Sequence, residues 1–390
     1  MVDRRARLER VLARHPDAAL VEAVPGRPAL IRRDELLVAG RDAGDAESAV
    51  RRWCDARQDE CGVTRLRLRR AAGVDVCDLA TRLGVDGVGE GPRRRRLSVS
   101  PNHLVQGQPL WWSGPAGVPR PAGPLPVPRA AATRRDVTVA ILDTGLSPHP
   151  WYEDAEWFRE QRDEVREVLD ADLDYDLDAQ AGHGTFVAGV VLRHAPAARL
   201  LARRVIGGDG VGDELDVIRA LEWLAQRRRA DVVNVSLGCH TFDDRPSPLL
   251  TRAISALGRG TVVVACAGNA GGDRPFWPAA MDAVVGVGAL DGGERASFSN
   301  HGPWVDACAE GVDVTSTFVS FDGTRPAVDG IDPDAFEGYA VWSGTSFATP
   351  VVAGRIAGLA AAEDVDASAA ADRVLDPANP SLPGLGVVVS

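Results

Sequence analysis

Short apolar runs alternate with helix-length segments through the second half of the chain, and that alternation limits the fold more than any other feature. Asp136-Val-Thr-Val-Ala-Ile-Leu142, Asp231-Val-Val-Asn-Val-Ser-Leu-Gly238, Thr261-Val-Val-Val-Ala-Cys266 and Ala283 to Gly288 are rich in β-branched residues and short for buried helices. Between them, Glu214 to Arg229 and Pro248 to Gly258 have helical length and spacing. Strands buried on both faces and joined by helices predict a mostly parallel sheet with helices on either side, a three-layer α/β unit. Such sheets bind ligands beyond the carboxyl ends of their strands.

Three residues at such positions carry chemistry. Asp143 closes the first run in Asp143-Thr-Gly145, where a carboxylate faces the ligand crevice, although Asp and Gly also serve simple turns. His183 lies in Ala181-Gly-His-Gly-Thr-Phe-Val-Ala-Gly-Val190, at the mouth of an apolar helix with Phe186, Val187 and Val190 on one face. Of the seven histidines, only His183 has this setting. Ser346 lies in Val341-Trp-Ser-Gly-Thr-Ser-Phe-Ala-Thr-Pro350, before the apolar run Val351 to Ala360. Gly344 permits a tight turn, and a helix N-terminus favours negative charge developing beside the hydroxyl. Pro350 is expected in the first turn, where a missing N–H costs little. A serine there also serves as a helix cap, so a nucleophile needs a base and an oxyanion stabiliser from elsewhere. His183 and Asp143 are the candidates for that base and its orienting acid.

Each of the three sits in its own string, and two more strings fall between them: Asn234-Val-Ser-Leu-Gly238 and Ala267-Gly-Asn269. Together they resemble the subtilisin-like serine proteases (subtilases) over about residues 136–390. The resemblance implies a subtilisin-like catalytic domain in which Ser346 attacks the scissile carbonyl, His183 moves the proton and Asp143 orients the imidazole. It implies Asn269 and the Ser346 N–H as the oxyanion hole. Ser236, Leu237, Gly238 and Gly268 are implied as substrate-binding residues, with Ser236 and Gly238 pairing with an extended peptide. No cofactor or metal is expected for this chemistry. Many subtilases bind Ca2+, and Asp170, Asp172, Asp174, Asp176 and Asp178 alternate just before His183. Their order matches no known calcium loop, so a solvated acidic rim is expected, with a field favouring basic substrates as its alternative use.

Residues 1–105 read as a small ferredoxin-like α+β domain. A charged helix and connector fill 1–28, Asp34 to Ala39 and Val63 to Leu68 read as strands, Ala46 to Gln58 and Val76 to Leu83 as helices, and Leu97 to Leu104 as a last strand. Ser100-Pro-Asn-His-Leu-Val105 resembles the last strand of subtilase propeptides, which implies an intramolecular chaperone and inhibitor. Residues 106–135 form a linker with seven prolines between Pro109 and Pro128 and the pair Trp111-Trp112. The peptidase domain is assigned to 136–390. Arg93 to Arg96 is expected to be a solvated turn. Charge divides along the same boundary. Residues 1–135 carry 25 arginines against 16 acids and the remainder 19 against 39, with no lysine anywhere. A basic front and an acidic back predict that the two dock, and that the enzyme cuts itself once between Val105 and Trp112 while the freed unit stays bound.

The first thirty residues interleave arginines with apolar residues and hold no continuous apolar run, so no secretory signal is read and cytoplasmic residence is expected. Six cysteines without metal-type spacing read as reduced thiols, with Cys239 and Cys266 as small packing residues or, alternatively, as points of thiol sensitivity. The expected function is a serine endopeptidase acting on proteins or peptides, with no nucleic-acid or membrane partner. Its rivals are a ligase or cyclase using the same acyl-enzyme, and a peptide-binding pseudoprotease, which the presence of all four chemical residues disfavours.

Overall fold

In the computed structural model, which describes residues 4–90, 94–107, 117–173, 175–227, 230–323 and 335–390, the alternating runs form one sheet. Its spatial order begins Arg199–Arg204, Thr138–Asp143, Val232–Val235 and Val262–Cys266, then continues through Val284–Asp291, Ala307–Glu310 and Gly386–Val388. All of these neighbours pair in parallel. Successive side chains of Thr138–Asp143 point to opposite faces. Val139 and Ile141 pack against helices His183–His194 and Thr345–Glu363, through Phe186, Val187, Val352 and Ile356. Ala140 and Leu142 face helices Glu214–Arg227 and Pro248–Ala256, through Ile218, Leu221 and Leu250. Burying each such large side chain stabilises the fold by about 1.5–3 kcal/mol. Three layers result, with Asp143, Ser236 and Cys266 at the carboxyl ends of adjacent central strands.

The N-terminal unit is an antiparallel sheet in the order Cys54–Glu60, Val63–Leu68, Ala29–Ala39, Val99–Gln106, with Ala18–Val21 also paired to Ala29–Ala39. Helices Ala43–Val50 and Val76–Thr81 cover it, with Val50, Leu79 and Leu83 packed against Leu36, Val38 and Leu66. One expected element differs. The helix read from Ala46 to Gln58 stops at Val50, and Cys54–Glu60 is a strand that turns back through Cys61 and Gly62, both at positive φ (48° and 68°). Its residues are mostly exposed because it is the outer strand, so it lacks the alternation that marks a half-buried one. Arg94, Arg95 and Arg96 are exposed, as a solvated turn requires, and Arg95 also donates to Asp42 at 2.7 Å.

The free edge of Val99–Gln106 pairs with Val211–Asp213, which carries the N-terminal sheet onto the catalytic unit. Further on, Arg120–Pro121 adds a short strand to the hairpin Val314–Asp322 and Ala335–Trp342. Arg93, Asp174, Pro109, Trp111 and Trp112 lie outside the described residues, as does the expected cut region beyond Gly107. Among the described residues no helix is long and apolar enough to cross a membrane.

Candidate active site

Two turns meet to bring an acid and a base together. A Cβ on Gly184 would stand 2.1 Å from Gly145 O, so only glycine lets the helix start come this close to the turn after Asp143. His183 Nδ1–H donates to Asp143 Oδ1 at 2.7 Å, and the same oxygen accepts from Thr144 N–H at 2.8 Å. Both side chains are buried. An ionised carboxylate only accepts, so the proton sits on Nδ1 and leaves Nε2 as the basic nitrogen. The imidazole packs against Trp342 (5.4 Å, edge-on) and Phe347 (5.2 Å).

A third acid stands behind this pair. Glu167, buried, accepts from Thr144 Oγ1 (2.5 Å), Ser147 Oγ (2.9 Å) and Thr185 Oγ1 (2.5 Å). Gly184 N–H donates to Thr144 Oγ1 and Ser147 N–H to Thr185 Oγ1, at 2.9 and 2.8 Å, so the hydroxyl protons are left for the carboxylate. Glu167 thereby ties the Asp143 turn to the helix that starts at His183. Burial pushes its pKa above the usual carboxylate range; the three hydroxyls oppose that shift and Asp143 adds to it.

Ser346 is the second residue of Thr345–Glu363. Pro350 lies inside this helix, beyond the expected first turn, and has no N–H for the carbonyl four residues back. That carbonyl is Ser346 O, and Ser236 Oγ donates to it instead, at 2.8 Å. Ser346 Oγ in turn donates to Ser236 O at 3.2 Å, so the nucleophile candidate and the substrate strand are joined twice. The Cys266 thiol lies beside Ser346 and Thr345, and burial pushes it up to about 12.

Asn269 follows Gly268, which is at φ +91°. Its Oδ1 accepts from Thr345 N–H (2.8 Å) and Thr345 Oγ1 (2.7 Å), which leaves the amide N–H2 free to donate. Nδ2 faces Gly344, 3.5 Å from where a Cβ would stand. The amide and the start of the Ser346 helix therefore converge on one place.

The chain's own strand lies in this cleft. Gln106 N–H donates to Gly238 O at 2.8 Å, Gly238 N–H to Gln106 O at 3.0 Å, and Gly107 N–H to Gly210 O at 3.0 Å. Gly117 O accepts from Trp342 Nε1 at 2.7 Å, so the described chain leaves on one side of the site and resumes beside the ring that touches His183. Charges line the same contact. Arg14 donates to Asp178 at 3.0 Å and also pairs with Asp172, His15 pairs with Asp209 at 2.7 Å, Arg32 with Asp213 at 3.4 Å, and Arg27 with Asp244. Deeper in, His103 Nδ1–H donates to Glu214 at 2.7 Å and Phe242 N–H donates to His103 Nε2 at 3.3 Å.

The acidic stretch before His183 is thus partly a docking surface and not only a solvated rim. Asp178 spends its oxygens on Arg14 and on Ala171 N–H (2.9 Å), which does not fit a calcium ligand set. Among the described residues no group of three or more His, Cys, Asp or Glu side chains could hold a metal. Every residue singled out from the sequence, Asp143, His183, Ser346, Asn269, Ser236, Leu237, Gly238 and Gly268, lies around this cleft or its supporting strand. Glu167, and Thr345 as the amide's anchor, were not foreseen. Glu167 sits in a charge-rich stretch where nothing local separates it from its exposed neighbours.

Comparisons with known proteins place the chain in a family. The model of the subtilase family matches residues 134–374. The chain is 38% identical over 236 residues to a thermophilic serine proteinase of Bacillus sp. (strain AK1), covering 57% of this chain and 51% of that protein. It is 37% identical over 256 residues to subtilisin BL of Lederbergia lenta, covering 63% and 83%. The chain thus spans about half the length of the thermophilic proteinase. Among solved structures, fervidolysin from Fervidobacterium pennivorans, described as a keratinolytic enzyme related to subtilisin, superposes with a TM-score of 0.54 at 20% identity. It covers 86% of this chain and 55% of that one, which shows the fold alone. A protease from Pseudoalteromonas arctica PAMC 21717 gives 0.52 at 25% identity, over 66% and 89%.

Proposed function

The chain belongs to the subtilase family, and from that premise we propose that it is a serine endopeptidase whose N-terminal unit occupies its own substrate cleft. Ser346 Oγ turns from Ser236 O toward His183, gives its proton to Nε2 and attacks the scissile carbonyl. Asp143 holds the imidazole tautomer and stabilises the imidazolium. Asn269 Nδ2 and the Ser346 N–H receive the oxyanion; a donor of this kind is worth about 10²–10³ in turnover. His183 then protonates the leaving amine, and water repeats the cycle on the acyl-enzyme. Ser236 to Gly238 offers a backbone edge along which an extended peptide adds as a strand.

The observation that carries the reading is the doubly anchored Asn269 carbonyl, because it aims an amide donor at the helix start that bears Ser346. The test is hydrolysis of an unstructured protein by the full chain and by Ser346→Ala in H2(18)O. Heavy oxygen at new carboxyl ends, made by wild type only, supports hydrolysis. Products joined to an added amine with no heavy oxygen would favour the ligase.

The Gln106–Gly238 exchange and the ring of ion pairs support an N-terminal unit that acts as an intramolecular inhibitor. Self-cleavage would turn that tethered inhibitor into a bound fragment. Intact mass of wild type beside Ser346→Ala tests it: two fragments against one chain supports self-processing, and one intact, active chain in both cases contradicts it.

A further inference from the structure

Within the proline-rich linker, a short strand closes one edge of the sheet that leads to the nucleophile. Ala335–Trp342 is the middle strand of three, with Val314–Asp322 on one side and Arg120–Pro121 on the other. It runs on through Gly344 to Ser346, so a partner on its outer edge steadies the approach to Ser346. Ala122 N–H donates to Tyr339 O at 3.1 Å. Bonded and non-bonded pairs alternate in an antiparallel ladder, which makes Arg120–Val341 the next bonded pair. Pro121 falls between them, opposite Ala340, where no N–H is needed.

The same segment holds a ring against the base. Trp342 is 3% exposed, and its one N–H donates to Gly117 O at 2.7 Å. The indole meets His183, Phe186 and Phe318 edge-on, at 5.4, 5.9 and 6.0 Å, and lies tilted to Phe347 at 5.1 Å. Phe347 also packs on His183, at 5.2 Å. Asp143 fixes the imidazole through Nδ1, and these rings limit how its other end can swing. Ring contacts are individually weak and tolerate a range of geometries. The hydrogen bond to Gly117 O narrows that range.

We propose that residues 117–122 are a positioning strap for catalysis. Gly117 O holds Trp342, Trp342 holds His183, and the ladder to Tyr339 and Val341 holds the strand that leads to Ser346. The inference rests on the peptidase reading and goes beyond it, because part of the linker then belongs to the active centre. A cut that frees the N-terminal unit has to fall before Gly117 if the product is to be fully active. Trp342 acts through His183 and is a positioning residue.

The test compares kcat and KM of full-chain variants on a small peptide. The docked N-terminal unit competes with substrate for the cleft, so its release changes apparent KM and leaves kcat at saturation unaltered. Trp342→Phe keeps a ring and loses the N–H. Arg120→Pro loses the ladder donor, and because Arg120 is exposed on an outer strand this variant is expected to fold. Arg120→Ala loses only the exposed ion pair with Asp313 (2.6 Å). Trp342→Phe and Arg120→Pro should each lower kcat by roughly 10–10²-fold, up to the scale of a misplacement of about 1 Å. Their double variant should lose less than the product of the two, because both act through one strap. Arg120→Ala should match wild type. A wild-type kcat in Arg120→Pro, or losses that multiply fully in the double variant, overturns the proposal. A separate result would defeat the peptidase reading instead: no peptide cut, and no fluorophosphonate on Ser346, in wild type or in a Gln106→Pro chain that lacks the N–H donated to Gly238.

Discussion

Gln106 and Gly238 exchange both of their backbone hydrogen bonds, at 2.8 and 3.0 Å, which makes the last strand of the N-terminal unit an added strand of the cleft that it closes. On its other edge the same strand pairs with Val211–Asp213 of the catalytic unit. Opening the cleft therefore means removing a strand from between two partners.

Weakening that strand should release activity. Gln106→Pro deletes one donor at the centre of the contact, and a net hydrogen bond of about 1 kcal/mol corresponds to roughly a fivefold rise in initial rate on a small peptide. Arg14→Ala should act in the same direction, with an effect that shrinks as salt screens the exposed Arg14–Asp172 pair over about 8 Å at physiological ionic strength. Unchanged rates in both variants, measured at low salt, would contradict an inhibitory contact.

Asn269→Ala should lower kcat by about 10²–10³ and leave KM nearly unchanged, because the amide acts where charge develops. Thr345 anchors only the amide's carbonyl side, so its hydroxyl is a positioning group. An effect confined to KM would make Asn269 a turn residue.

Glu167 predicts a pH dependence. Its pKa in the folded chain is raised by burial, so its contribution to stability is fully present at low pH and is lost as pH rises through the raised value. Thermal melts of wild type and Glu167→Gln should then differ increasingly in favour of the glutamine form as pH climbs above the ordinary glutamate value of about 4.3. A gap independent of pH contradicts this account. Glu167→Ala, which leaves three hydroxyls without their acceptor, should also lower kcat by loosening Asp143 against His183.

Thiol reagents should leave the enzyme active. Burial pushes Cys266 up to about 12 and Cys239 higher still, so neither offers a thiolate at neutral pH. Alkylation mapped by mass spectrometry should stop at the partly exposed Cys54 and Cys61. Inactivation in step with modification of Cys266 would show that the nucleophile's neighbour is reachable.

The sheet was legible because its strands are β-branched runs at regular spacing, and the acid, base and serine because each ends a strand or starts a helix in a distinctive string. Cys54–Glu60 was misread because an outer strand exposed to solvent has no alternation to show. Pro350 was placed a turn too early, since the sequence does not reveal that Ser236 supplies the donor the proline lacks. Glu167 was invisible. Its role depends on partners brought from elsewhere in the chain, the turn residue Thr144 and the helix residue Thr185. The charge division did foretell docking, but not that Arg14 would reach Asp178.

The central claim is that Ser346 is a nucleophile made reactive by His183 and Asp143, and active-site phosphonylation measures this most directly. A fluorophosphonate should label Ser346 in the full chain, faster in Gln106→Pro, with the site read by peptide mass spectrometry. Label should be absent in Ser346→Ala and slowed by roughly 10⁴ or more in His183→Ala, because the triad acts as a unit. Label at another residue, or equal labelling with and without His183, would contradict the account.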